Sequence, residues 1–211
     1  MKLIYCIRAL YNPGGMERVL LNKVTYLVEK LYWDVTIITT DQQGLPSFYS
    51  FPNGVRMIDL GINYADDNEK NVLLKIAGYL KRRKEHKRKL SALLEKERAD
   101  IVVSLYPSES SFIPHIKDGS KKVLELHYCK FFRLQYGRNG LLGLIDRWRT
   151  RQDEKIVSRF DKFIVLIAFF STDLADTSAE VVSRFEFRDL GKSLTCFNAS
   201  SIPLLLRLLG S

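Results

Sequence analysis

The segment Asn12-Pro13-Gly14-Gly15-Met16-Glu17-Arg18 places two adjacent glycines, an acid and a guanidinium directly after the apolar run Leu3-Ile4-Tyr5-Cys6-Ile7. That order reads as strand, tight turn and helix N-terminus. Glycines let the backbone take positive φ and approach a ligand with no Cβ between, while the first amides of the helix point outward unsatisfied. The chemistry this suits is the binding of an anion such as phosphate. Glu17 would complement the helix dipole, and the planar fork of Arg18 suits a nearby acid or a phosphate. A second polar element lies far downstream, where Glu125-Leu126-His127-Tyr128 ends another apolar run. A neutral imidazole both donates and accepts hydrogen bonds, so His127 fits contact with a polar ligand, and it equally fits a histidine satisfied at a strand end.

These residues need a scaffold, and the hydrophobic pattern supplies one. Strand signals recur at 2–9, 34–40, 55–60, 101–105, 123–126 and 163–166, each bounded by polar or turn residues. Helical periodicity covers about 15–31, 72–96 and 141–159, with a short helix beginning near Ser108. Apolar runs such as Val35-Thr36-Ile37-Ile38 and Ile101-Val102-Val103 imply strands buried on both faces. The expected fold is α/β, a doubly wound Rossmann-like parallel sheet. In such a sheet ligands lie beyond the carboxyl ends of the strands. The Gly14-Gly15 turn, Thr40-Asp41-Gln42, the segment Tyr106 to Ser110 and His127-Tyr128 all fall there. The loop 41–53, rich in Gly, Pro and aromatics, reads either as the ordered rim of a cleft or as a mobile connection.

Gly14, Gly15, Glu17 and Arg18 match the G-G-x-E-R form of the first loop in nucleotide-sugar glycosyltransferases of family 4, which the chain resembles. The spacing departs from the dinucleotide fingerprint, since no glycine follows at the third position and no acid clearly closes the second strand. The resemblance implies the N-terminal, acceptor-side lobe of a GT-B architecture over residues 1–166. It implies transfer of a hexose from a nucleotide diphosphate sugar to a glycan or lipid-linked acceptor, with retention, in polysaccharide biosynthesis and without a metal or other cofactor. It places His127 against the donor sugar, and Gly14, Gly15, Glu17, Arg18 and Tyr128 at the substrate. The second lobe of such enzymes carries an acidic pair and a basic residue for the diphosphate, and that set is not found in this sequence. Residues 167–211 form an atypical tail with four basic and five acidic residues, against 29 and 19 before it. The chain alone is therefore expected to be weakly active or inactive.

The net charge of +9 favours an anionic partner. Much of it lies in Lys81, Arg82, Lys84, Lys87, Arg88 and Lys89, within a long helical pattern. This run reads as a solvated helix face or as a patch for anionic lipid headgroups, which would make a cytoplasmic protein peripheral on the inner face of the membrane. The competing function is a non-catalytic basic module on anionic membrane or nucleic acid, the latter with little support because no reading helix or stacking motif accompanies the charge. No stretch of eighteen apolar residues is present. Cys6, Cys129 and Cys196 are odd in number and widely spaced, which suggests neither a disulfide framework nor a zinc site. His86 and His115 read as surface residues, and Asp66-Asp67 and Asp153-Glu154 as solvated charges.

Overall fold

The computed structural model describes residues 1–64, 72–105, 109–126, 152, 155–166 and 195–197. The chain divides into two compact units, Met1–Leu124 and Glu125–Ser211. In chain order the first contains β1 (Lys2–Ile7), α1 (Gly15–Glu29), β2 (Asp34–Thr39), β3 (Arg56–Asp59), α2 (Val72–Glu97), β4 (Ile101–Ser104), a 3-10 turn (Ile113–His115) and the start of β5 (Lys121–Leu126). Its sheet has the order β3-β2-β1-β4-β5. Every pairing is parallel, with Tyr5 opposite both Ile37 and Val103. The Rossmann-like α/β expectation is met.

β1, β2, β4 and β5 are buried along nearly their whole length, as their continuous apolar runs require. β3 is the exposed edge and is correspondingly short and polar. The connection through α1 runs from β1 to β2, and that through α2 runs back past β1 to β4. Right-handed crossovers in opposite directions along a sheet put the two helices on opposite faces. α1 buries Leu20, Val24 and Leu27 at four- and three-residue steps. It ends two residues short of the expected limit, where Tyr32 turns the chain in the left-handed region at φ 56°. α2 buries His86, Leu90 and Leu94 at four-residue steps, while Ile76, Tyr79 and Leu80 on its amino-terminal half are exposed.

The amino edge of the sheet is fastened by charge. Glu97, at the end of α2, accepts from Arg56 Nη2 at 2.8 Å and pairs with Lys2 Nζ at 2.7 Å. These hydrogen bonds, Arg56 first and then Lys2, hold its carboxyl down at about 2. Lys122 on β5 is buried against Asp118 and Ser120.

In the second unit, β6 (Lys162–Leu166) pairs in parallel with β7 (Thr195–Phe197), Val165 facing Cys196. The tail thus contributes a short strand that its mixed composition does not announce. Of the expected helix 141–159, residues 152 and 155–157 are helical and 158–159 form a turn, while its other residues lie outside the described ones, as do Asp66-Asp67 and Asp153-Glu154.

Candidate functional site

The first β–α turn brings Gly14 and Gly15 to the carboxyl side of β1, beside the switch in strand order between β1 and β4. Gly14 is the N-cap of α1 at φ −80° and ψ 158°, extended geometry open to any residue. Neither glycine has positive φ, so the backbone freedom expected of them is not used. Their role is space. A Cβ on Gly14 would stand 2.0 Å from Glu17 Oε2, whereas one on Gly15 would meet nothing within 4 Å. Glu17 folds back over Gly14 and is buried, so its own carboxylate sits where the helix dipole attracts an anion. Arg18 is exposed, and its amide donates to Gly14 O at 3.2 Å to close the first turn. The open surface of this turn is therefore at Gly15 and Arg18. His127 and Tyr128 lie outside the described residues.

A second polar corner forms where β1 and β2 end. Arg8 Nε donates to Asp41 Oδ2 at 3.0 Å, and the Tyr64 amide donates to Asp41 Oδ1 at 3.0 Å. An acid does close the second strand, contrary to the sequence reading, but both its oxygens are engaged inside the fold. That leaves Asp41 committed where a dinucleotide site would present its acid to a ribose. The loop 41–53 is tied back to the end of β1 by hydrogen bonds. Gln42 accepts the Leu10 amide at 2.9 Å through Oε1 and donates to Leu45 O at 2.8 Å. The Phe48 amide returns to Leu10 O at 2.8 Å. Leu45 and Phe48 project from this loop into solvent.

Beyond β4, Glu109 is buried, only 3% exposed, and accepts from Ser104 Oγ at 2.7 Å. Burial pushes its carboxyl up to about 7 despite the opposing hydrogen bond from Ser104. The Cys6 thiol beneath is also driven up, by burial first and then by Glu109. His86 is buried too, which corrects its assignment to the surface. Its Nδ1 lies 3.0 Å from Tyr64 Oη and its ring packs edge-on against Phe112 at 5.0 Å. Burial lowers its pKa to about 4, so the imidazole is neutral. His115 is exposed, as expected. Among the described residues no cluster of three metal-ligating groups occurs.

The cationic run of α2 divides in two. Arg82 Nη1 donates to Ile62 O at 2.7 Å, and Lys89 Nζ donates to Leu60 O at 2.8 Å, so both fasten the segment after β3. Lys81, Lys84, Lys87 and Arg88 are exposed. Ile76, Leu80, Lys84 and Arg88 follow at four-residue steps, which puts exposed apolar and cationic groups on one side of the helix.

No protein-family model matches the chain, and no curated protein matches it. Solved structures resemble it at low identity. UGT2 of Phytolacca americana, complexed with UDP-2fluoro-glucose and pterostilbene, is 10% identical, with 78% of this chain and 47% of that chain covered at a TM-score of 0.48. Os79 of O. sativa, in complex with UDP, is 10% identical, with 78% and 46% covered at 0.44. A Rossmann-fold NAD(P)-binding family protein from Shigella flexneri is 15% identical, with 100% and 87% covered at 0.41. The chain spans about half the length of the first two. Likenesses of this degree concern the course of the backbone and do not choose a ligand. In the described residues no helix is long and apolar enough to cross a membrane.

Proposed function

We propose that residues 1–166 form the acceptor-side lobe of a retaining, family 4 type glycosyltransferase. The reaction is transfer of a hexose from a nucleotide diphosphate sugar to a glycan or lipid-linked acceptor. The observation that carries this reading is the Gly14-Gly15-Met16-Glu17-Arg18 turn at the carboxyl edge of β1, beside the strand-order switch, with open space over Gly15. Gly14 makes room for Glu17, which satisfies the helix end. Gly15 leaves the backbone accessible to substrate, and Arg18 stands beside it in solvent. His127 and Tyr128, one residue and two beyond β5, are assigned to the donor sugar by the family resemblance. The donor nucleotide belongs to a second lobe, so the 211-residue chain binds sugar nucleotides weakly and turns them over slowly or not at all.

The test is ligand-observed NMR of the chain with UDP- and GDP-hexoses, repeated for Gly15→Val and His127→Ala. Weak binding lost in both variants is the expected result. Binding that neither variant changes removes the assignment.

A second reading is supported by the shared side of Ile76, Leu80, Lys84 and Arg88. It makes α2 the contact of a basic module with an anionic membrane surface, through apolar insertion and headgroup attraction together. The two readings are compatible if the acceptor is lipid-linked, and they differ in which substitution abolishes which binding.

A further inference from the structure

Arg8 directly follows the last residue of β1, the strand that borders the switch in strand order. Its partner Asp41 has a side chain only 1% exposed, while that of Arg8 is 55% exposed. A guanidinium that serves only to neutralise a buried carboxylate does so best end-on, with two parallel N–H bonds. Asp41 takes Nε alone, and among the described residues no hydrogen bond or ion pair engages the two Nη groups. The backbone is fixed as well, since Arg8 O accepts the amides of Thr40 and Asp41 at 3.1 Å and 2.9 Å. The result is a two-donor fork held in one direction and open to solvent. Such a group loses little freedom on binding a planar or tetrahedral oxyanion. The same corner contains Asn63, whose amide donates to Thr40 O at 3.2 Å and whose Oδ1 is buried without a partner. The neighbouring helix end is already filled by Glu17, and among the described residues Arg8 is a cationic donor at the end of the central strand whose Nη groups point to solvent.

We propose that Arg8 is a phosphate-recognition residue, oriented by Asp41 and binding a phosphoryl group through both Nη atoms. Its place in catalysis rests on the sugar-transfer reading, under which the phosphoryl group is carried by the donor or by a phosphorylated acceptor. The probe is inorganic pyrophosphate, titrated into the 211-residue chain by calorimetry at low salt. Arg8→Gln weakens binding roughly 10- to 100-fold, the usual worth of a charge-assisted hydrogen bond. Arg8→Lys keeps a charge for Asp41 but lacks the fork, and it weakens binding at least about tenfold. Lys30→Gln, at an exposed cation just past the other end of α1, leaves it unchanged.

In the wild-type protein the Arg8 Nε–H resonance shifts with pyrophosphate, a readout that needs no variant to fold. Competition then identifies the source. Displacement by UDP-glucose assigns the donor, and displacement by glycerol phosphate without UDP-glucose assigns the acceptor. Absence of pyrophosphate binding, or binding indifferent to both Arg8 variants with an unmoved Nε–H, overturns the proposal. Binding at Arg8 in a protein that recognises no sugar nucleotide keeps the site and discards the transfer reading.

Discussion

Gly15→Ala separates a structural turn from a binding one because the two accounts move different observables. The added methyl meets no atom within 4 Å, so the fold offers it no clash. Gly15 is the first residue of α1 and has negative φ, so alanine fits its backbone. Replacing a helical glycine by alanine is worth roughly 0.5–1 kcal/mol, and the first position realises only part of it. For a chain of this length each kcal/mol moves Tm by roughly 2–4 °C, so Tm should stay level or rise by up to about 4 °C. If substrate approaches the Gly15 backbone, the same methyl intrudes on it. A loss of sugar-nucleotide binding of at least about tenfold is then expected, equivalent to about 1.4 kcal/mol. Thermal unfolding by circular dichroism and ligand-observed NMR, run on one preparation, give both numbers. A Tm lowered by several degrees refutes the open space over Gly15, and unchanged binding at level Tm refutes its role.

Gly14→Ala is expected to destabilise by roughly 1–2 kcal/mol in chemical denaturation because Glu17 must move. In a Glu17→Ala background the cost should fall below about 1 kcal/mol, the N-cap difference alone, and additivity would refute the contact. Two buried groups give stability opposite pH slopes. Glu109, raised from 4.5 to about 7, contributes below pH 4.5 and loses that contribution as pH rises through about 7, roughly 3 kcal/mol at about 1.36 kcal/mol per pH unit. His86, lowered from 6.5 to about 4, contributes above pH 6.5 and loses a similar amount as pH falls through about 4. The slopes oppose each other between about pH 4.5 and 6.5, so urea melts should show Glu109→Gln more stable than wild type at pH 8, with stability falling as the medium is acidified. His86→Phe should become less stable as pH rises through the same range. Combined Lys84→Glu, Lys87→Glu and Arg88→Glu should reduce cosedimentation with anionic vesicles roughly 100-fold at low salt. The sugar-nucleotide signal should be unaffected by these changes.

Much of the scaffold was legible because its strands are buried on both faces. Leu3 to Ile7, Val35 to Ile38 and Ile101 to Val103 announce themselves as continuous apolar runs, and α1 by its three- and four-residue steps. What escaped was decided by packing. Glu109 and His86 are polar letters in polar stretches, yet Phe112 packs on the His86 ring and Arg83 donates to Ser111 Oγ at 2.8 Å, sealing the segment after β4 under α2. Asp41 had a visible signal, an acid immediately after an apolar strand, but its pairing with Arg8 depends on β1 and β2 lying side by side. The division of the cationic run escaped for a similar reason. Only the return of the chain after β3 beneath α2 turns Arg82 and Lys89 inward to carbonyls, while their neighbours stay in water. β7 was missed because three residues in a mixed tail carry too little periodicity to read.

The most direct test of the central assignment is backbone amide NMR of the wild-type chain during titration with UDP- and GDP-hexoses. The turn account expects at least one of them to shift the Gly15 and Arg18 amides in a saturable way, whatever the affinity. Shifts confined to Lys84, Lys87 and Arg88, or none with any sugar nucleotide, would contradict it.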